Sequence, residues 1–151
     1  MLSMTDPPAP FVILLVEDEA ADAHLVEIAL REHRIHTDLR PVSDGIEALA
    51  FLRQDGAAFA HAPRPNLILL DLNMPRMNGR ELLAVLKADP DLRDIPVVVL
   101  TTSEAERDVS EAYKLGAAGF VTKPVDMEQF FAAIRQLHDY WFHLIRLPER
   151  K

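Results

Sequence analysis

The chain has 151 residues, of which 49% are hydrophobic, and this size and composition are typical of one ordinary globular domain. Its 24 acidic residues outnumber its 16 basic ones, and the net charge of −8 argues against nucleic acid or an anionic membrane surface as the main partner. It contains no cysteine, which excludes disulfides, thiol nucleophiles and cysteine-ligated metal centres.

We expect no targeting signal at the start of the chain. Residues 1–10 hold three of the 11 prolines and no periodic pattern, so we predict a disordered tail ahead of a single domain over 11–151. No basic segment precedes the first apolar run, which is too short for a signal peptide. No other run approaches the roughly 20 apolar residues that a membrane span requires. We therefore expect a cytoplasmic protein that does not bind membranes.

Strands and helices are predicted to alternate along the domain. Continuous apolar runs indicate strands that are covered on both faces, and apolar residues at helical spacing indicate the helices between them. In chain order, the predicted elements are a strand at 11–16, a helix at about 20–33, a strand at 39–42, a helix beginning after Asp44-Gly45, a strand at 66–72, a helix around 82–86 that ends near Asp89-Pro90, a strand at 97–100, a helix at 105–115 that stops at Gly116, a strand at 120–122, and a long helix from 125 to about 147.

This alternation predicts an α/β fold with a doubly wound, five-stranded parallel sheet. Parallel strands joined by right-handed helical crossovers carry helices on both faces of the sheet. The common strand order for five strands is 2-1-3-4-5, as in flavodoxin-like folds. That order places the second strand at an edge, which suits Pro41 because proline has no N–H for the sheet ladder.

Polar side chains follow four of the predicted strands. The first strand runs into Glu17 and Asp18, the third ends at Asp71, the fourth is followed by Thr101, and the fifth by Lys123. The carboxyl ends of parallel strands lie at one edge of the sheet, and ligands bind there at the point where strand order reverses. Each residue alone also has an ordinary explanation, such as an acidic helix N-cap or a solvated lysine. Their convergence favours a binding site.

The predicted site has the chemistry of a magnesium centre. Clustered carboxylates repel one another unless a cation neutralises them. Mg²⁺ prefers oxygen ligands, and the six histidines are scattered without a helical pair that would favour a softer metal. Carboxylates, a divalent ion and an ammonium group suit phosphoryl chemistry, with Asp71 as a candidate nucleophile.

Five motifs, in this order and at these spacings, resemble the response-regulator receiver domain of two-component signalling over about residues 11–148. They are Leu15-Val16-Glu17-Asp18-Glu19, Asp44-Gly45-Ile46-Glu47-Ala48-Leu49, Leu70-Asp71-Leu72-Asn73-Met74-Pro75-Arg76-Met77-Asn78-Gly79, Ile95-Pro96-Val97-Val98-Val99-Leu100-Thr101, and Gly119-Phe120-Val121-Thr122-Lys123-Pro124. Each motif is weakly specific alone, but the five together are very specific.

The resemblance implies a role for each polar residue of the predicted site. Asp71 would accept a phosphoryl group from a sensor histidine kinase. Mg²⁺ would be held by Asp18, Asp71 and the backbone carbonyl of Asn73, with Glu17 acting through water. Lys123 would contact the phosphoryl group. The chain would then be a signalling receiver that catalyses only its own phosphorylation and dephosphorylation.

The resemblance also implies how the signal leaves the site. Thr101 would be the switch hydroxyl and Phe120 the switch aromatic residue, and both would bias a surface formed by helix 4 (predicted at 105–115), strand 5 (predicted at 120–122) and helix 5 (predicted at 125–147). We expect no DNA-binding effector domain after the last helix. We therefore expect output through protein contact, dimerisation or a phosphorelay.

The predicted last helix, 125–147, has more apolar residues than one core-facing stripe can hold. The surplus residues are interface candidates, because a second apolar face usually marks a contact surface; they are Phe131, Tyr140, Trp141, Phe142 and Leu144. A helix that folds back over its own sheet is the alternative. The aromatic tail is similar to that of the stand-alone regulators paired with phytochrome-like histidine kinases, which implies a homodimer formed through this helix.

Two other classes of protein remain as alternatives. A small phosphatase of the haloacid dehalogenase kind also uses a strand-end aspartate and Mg²⁺, but it places a second aspartate where this chain has Asn73. A binding-only adaptor needs no phosphorylation site, yet every residue of that site is present here. Turnover of a phosphoester would identify the first class, and absence of an acyl phosphate the second.

Overall fold

Five parallel strands, the first four of them joined by helices, are present in the computed structural model, which describes residues 11–32, 37–72, 77–101 and 114–122. Most predicted elements in these ranges are confirmed to within two residues. The elements are β1 (Phe11–Val16), α1 (Ala20–Glu32), β2 (Thr37–Val42), α2 (Gly45–Arg53), a short 3-10 turn (Ala57–Phe59), β3 (Leu67–Asp71), α3 (Gly79–Ala88), β4 (Val97–Thr101) and β5 (Gly119–Thr122).

The described strands form one sheet in the order β2-β1-β3-β4-β5, as the sequence predicts for a flavodoxin-like fold. Each neighbouring pair is parallel. The strand order reverses between β1 and β3, so the carboxyl ends of these two strands border the crevice where ligands bind in such folds. Pro41 lies in β2 at an edge of this sheet, where its missing N–H removes no ladder bond on the outer side.

The core lies on both faces of the central strands. Every residue of β1 and β3 is buried, as expected for strands that are covered by helices on both sides. On one face, α2 and α3 pack on the sheet through Ala48, Phe51, Leu82, Leu83 and Leu86. These fully apolar contacts fix both helices relative to the strand ends that carry the acidic residues.

The second strand begins earlier than predicted. β2 starts at Thr37 rather than at residue 39. The prediction missed its first residues because they are polar, as residues of an edge strand can be. There the Arg40 guanidinium Nε donates to Asp38 Oδ1 over 2.7 Å, since residues i and i+2 of a strand share a face. Polar pairs of this kind give no apolar signal in the sequence.

Three predictions lie outside the described residues. They are the tail 1–10, nearly all of the helix at 105–115, and the long last helix at 125–147. In the part of the chain that the structure describes, Lys114 is helical, and Gly116, two residues later, is in a turn with a φ of 104°, which agrees with a helix that stops at this glycine. Within the same ranges, no helix is long and apolar enough to cross a membrane.

Candidate functional site

Three carboxylates meet at the carboxyl edge of the sheet. Glu17, Asp18 and Asp71 each offer one carboxylate oxygen, and these oxygens all lie within 4.8 Å of one another. Glu17 and Asp18 follow β1 directly, and Asp71 is the last residue of the neighbouring β3. Glu17 and Asp71 are buried, at 5% and 4% exposure, whereas Asp18 is exposed. The convergence that the sequence predicts is therefore present in the structure.

Backbone hydrogen bonds hold Glu17 in place. Its N–H donates to the carbonyl of Val42 at the end of β2, over 3.0 Å. Its side-chain Oε1 accepts the N–H of Glu19, over 3.1 Å, just before α1 begins. This bond is not a helix N-cap, because it binds the N–H of Glu19 ahead of the first helical hydrogen bond, in which Ala23 donates to the carbonyl of Glu19. A carboxylate has two oxygens, so the bond does not compete with the cluster.

The chain after Asp71 is held against β4 and α3. Leu72 donates its N–H to Leu100 O over 3.2 Å, and Leu72 O accepts the N–H of Gly79 over 3.0 Å. Gly79 lies so close to β3 that an added Cβ would be 2.5 Å from Asp71 O and 2.5 Å from Leu72 Cα. A residue at position 79 must therefore lack a side chain if α3 is to begin directly beside the phosphoacceptor candidate.

Helix α3 also starts with its own cap. The Asn78 side chain accepts the N–H of Glu81 over 2.9 Å, and the Glu81 carboxylate accepts the N–H of Asn78 over 3.1 Å. This reciprocal capping box satisfies two backbone donors that the helix itself leaves unpaired. Our sequence-based prediction missed this cap, although its signal is present in the chain: an asparagine stands three residues before a glutamate, ahead of an apolar helical pattern.

Replacing Gly79 by alanine is expected to destabilise the fold by about 1–3 kcal/mol, because the new methyl group meets backbone rather than a movable side chain. Urea unfolding monitored by circular dichroism measures this loss. Gly56→Ala is the matched control: Gly56 has a φ of 80° and nothing within 4 Å of an added Cβ, so it reports backbone strain alone. A loss for Gly79→Ala no larger than that of the control would contradict the close-packing explanation.

A groove opens beside the acidic cluster, between α1 and β2. Its volume is about 430 Å³, and its lining includes Glu17 and Asp18 at the cluster and Leu39, Val42 and Ser43 along β2 and its end. The sequence analysis did not predict this groove, because it depends on how far α1 stands from the edge strand. It gives solvent a route to Glu17 and Asp18, whereas Asp71 does not line it.

The remaining predicted site residues are described in part or not at all. The backbone of Thr101 ends β4, one residue after Leu100, which pairs with Asp71 in β3. The backbone of Phe120, in β5, pairs with Val99 of β4. Asn73, Lys123 and the interface candidates lie outside the described residues; those candidates are Phe131, Tyr140, Trp141, Phe142 and Leu144.

The donor set fits a hard divalent cation. Three carboxylate oxygens within 4.8 Å of one another are the ligands that Mg²⁺ takes, together with waters. Unit charges at this separation repel by about 3–4 kcal/mol at an effective dielectric near 20, before solvent screening at the exposed Asp18. A bound cation would offset this repulsion, so the cluster and the metal chemistry agree.

Comparison with known proteins identifies relatives of similar length and the same fold. The chain is 46% identical over 139 residues to response regulator Rcp1 of Synechocystis, covering 92% of this chain and 94% of the relative. The solved structure of the phosphorylated cyanobacterial phytochrome response regulator RcpA is 44% identical with a TM-score of 0.79, covering 89% of this chain and 95% of the other.

A manganese-bound form of Rcp1 is 47% identical with a TM-score of 0.77, covering 87% of this chain and 94% of the other. The family described as "Response regulator receiver domain" matches residues 13–135, which include every residue of the described sheet except Phe11 and Val12. With the strand order, the three clustered carboxylates and these matches in agreement, the chain belongs to the response regulator receiver family.

Proposed function

We propose that this chain is a stand-alone response regulator in which Asp71 accepts a phosphoryl group from the phosphohistidine of a sensor histidine kinase. The observation that carries the proposal is the meeting of Glu17, Asp18 and Asp71 within 4.8 Å at the switch point of the sheet. An isolated buried aspartate would repel an anionic phosphoryl group. A cluster of carboxylates that binds a cation offsets this repulsion, because the cation attracts the phosphoryl oxygens.

The chemical step is an in-line displacement at phosphorus. A carboxylate oxygen of Asp71 forms the new P–O bond while the P–N bond to the kinase imidazole breaks. The P–N electron pair goes to the departing ring nitrogen, so a ring protonated at its other nitrogen leaves as neutral imidazole. The product is an acyl phosphate on Asp71 and a free histidine on the kinase. The burial of Asp71 limits the access of water that would compete as a nucleophile.

The metal would be held by Asp18, Asp71 and the backbone carbonyl of Asn73, with Glu17 acting through water. When bound, Mg²⁺ supplies positive charge that offsets the charge on the phosphoryl oxygens. The bond from Glu19 N–H fixes one oxygen of Glu17 and thereby orients its carboxylate within the cluster. Lys123, the residue after β5, would contact a further phosphoryl oxygen.

The phosphorylated site would signal through Thr101 and Phe120. Thr101 ends β4 beside the Leu100–Asp71 pair, so its hydroxyl is a candidate hydrogen-bond donor to the new phosphoryl oxygens. Its movement would leave space for Phe120 in β5, and the two changes would alter the surface of helix 4, strand 5 and helix 5. This route needs no effector domain.

The partner is inferred from the relatives. Rcp1 and RcpA are response regulators, and RcpA is named as a phytochrome response regulator. We infer that a phytochrome-like histidine kinase is the phosphodonor and that the chain forms a homodimer through its last helix, without binding nucleic acid. The chain would turn over no external substrate, since Asn73 stands where a phosphatase of the haloacid dehalogenase kind has its second aspartate. A cytoplasmic location stays a prediction.

Phosphoryl transfer from a purified kinase tests the proposal. A phytochrome-like histidine kinase is first autophosphorylated with radiolabelled ATP and is then mixed with this chain, with Mg²⁺ or with excess EDTA. We expect label to move to this chain within minutes, only with Mg²⁺, and to be released by hydroxylamine, which cleaves acyl phosphates. Absence of transfer from all such kinases, or label that resists hydroxylamine, would contradict the proposal.

A further inference from the structure

The first residue of α3 lies against the peptide group that joins Asp71 to Leu72. A Cβ added to Gly79 would be 2.5 Å from the carbonyl oxygen of Asp71, 3.1 Å from its carbonyl carbon and 2.5 Å from Leu72 Cα. Real Cβ atoms essentially never come closer than 3.0 Å to such an atom, so a side chain at position 79 requires a shift of about 0.5 Å. Because all three atoms belong to the backbone, no side-chain rotation can relieve this contact.

Helix α3 is anchored in the core, so it cannot take up the whole shift. Leu82, Leu83 and Leu86 of this helix are each 0% exposed and pack against the sheet. The N–H of Gly79 also donates to the carbonyl of Leu72 over 3.0 Å, which ties the start of the helix to the segment that it contacts. Part of the shift must therefore reach the end of β3.

The end of β3 is held by fewer ladder contacts than its middle. The register between β1 and β3 ends at the pair Val16–Leu70, whereas the register between β3 and β4 extends to the pair Asp71–Leu100. The sheet therefore supports Asp71 from the β4 side one residue further than from the β1 side. A side chain at position 79 is expected to displace Asp71 more readily than the interior residues of β3.

The carboxylate of Glu17 is held by elements other than α3. Its backbone N–H donates to Val42 O over 3.0 Å, and its Oε1 accepts the N–H of Glu19 over 3.1 Å. A displacement of Asp71 would therefore change its separation from Glu17 rather than move the two carboxylates together. Metal–ligand distances in well-formed sites stay within about 0.2 Å of their usual values, so a shift of about 0.5 Å is large enough to disturb a metal site.

We propose that Gly79 is a positioning residue for metal binding: its missing side chain lets the Asp71–Leu72 peptide lie against α3, which places the Asp71 carboxylate at the separation from the other two that a divalent cation requires. This inference rests on the proposed function, since it assumes that the cluster binds the cation. The effect on the metal site is separate from the loss of stability expected for Gly79→Ala, and it acts through a direct contact with the backbone of a cluster residue.

Metal titration of folded variants tests this role without any measurement of phosphorylation. Free Mn²⁺ is followed by electron paramagnetic resonance while it is titrated into the full chain, at a temperature where circular dichroism shows each variant to be folded. Competition with Mg²⁺ then gives the Kd for Mg²⁺. We expect Gly79→Ala to raise both Kd values about 10-fold. Leu72→Ala removes the buried side chain next to the same peptide; it is expected to raise them by a smaller factor and serves if Gly79→Ala does not fold.

Two controls separate positioning from general loss of stability. Leu86→Ala removes a buried side chain from the same core, about two turns along α3 from Gly79, and is expected to leave both Kd values unchanged. Gly56→Ala strains the backbone at a φ of 80° and should also leave them unchanged.

An unchanged Kd for folded Gly79→Ala would overturn the proposal, as would a rise for Leu86→Ala or Gly56→Ala that matches the rise for Gly79→Ala. If Gly79→Ala does not fold, equal Kd values for Leu72→Ala and Leu86→Ala would overturn it. If wild type binds no metal, or if Asp18→Asn binds as tightly as wild type, the proposed function fails as well.

Discussion

Replacing Asp71 by asparagine is expected to abolish phosphoryl transfer from a histidine kinase to this chain. The amide keeps the shape of the carboxylate, but it is a far weaker nucleophile and cannot form the acyl phosphate. Asp71 is buried and close to two other carboxylates, so no other acid of the cluster can easily take its place at the end of β3. Transfer of radiolabel from phosphorylated kinase, measured over a time course, gives the result.

The same variant is not expected to lose stability. The Asp71→Asn substitution would remove one of three neighbouring negative charges, so we expect the free energy of unfolding without Mg²⁺ to rise by about 1 kcal/mol after screening. Asp55→Asn, which changes an exposed aspartate outside the cluster, is the matched control and is expected to accept label at the wild-type rate. Full labelling of folded Asp71→Asn would show that another residue is the phosphoacceptor.

Much of the fold follows from the sequence, because apolar runs for the buried strands are clearly separated from the more polar segments between them. Phe11–Val16 and the strand that ends at Asp71 are short continuous apolar runs, which are typical of strands covered on both faces. Pro41 then indicated an edge position for the second strand, which the observed order confirms. The first residues of β2 were missed because Thr37 and Asp38 are polar, as edge residues can be.

The acidic cluster was also predictable, since the ends of neighbouring parallel strands must meet. The supports of the site were not, because they depend on distances between elements that are far apart in sequence. No pattern in the chain shows that Gly79 lies against the carbonyl of Asp71. Likewise, no pattern shows that Lys87 Nζ donates to the carbonyls of Arg93 and Ile95, where burial lowers the pKa of the Lys87 ammonium.

Asp18 has a different part in the cluster from Asp71, and its removal distinguishes metal binding from nucleophilic attack. It is the exposed member of the three carboxylates, next to the groove between α1 and β2. From there it can bind a cation that arrives from solvent, whereas the buried Asp71 is the proposed nucleophile. Loss of Asp18 should therefore weaken the metal site and leave the nucleophile intact.

We expect Asp18→Asn to raise the Kd for Mg²⁺ by at least about 10-fold and to slow phosphoryl transfer at low Mg²⁺, with recovery as Mg²⁺ is raised.

The difference in free energy of unfolding between Asp18→Asn and wild type should change sign when Mg²⁺ is added. Without Mg²⁺ the variant should be at least as stable as wild type, because one repelling charge is gone. At a Mg²⁺ concentration ten times the wild-type Kd, wild type should gain about 1.4 kcal/mol and the variant at most about 0.4 kcal/mol. Glu27→Gln removes a charge from α1 beside the same groove but outside the three-carboxylate cluster, and it should behave as wild type. If Glu27→Gln weakened Mg²⁺ binding as much as Asp18→Asn, general electrostatic attraction would explain the metal dependence, and Asp18 would not be a ligand.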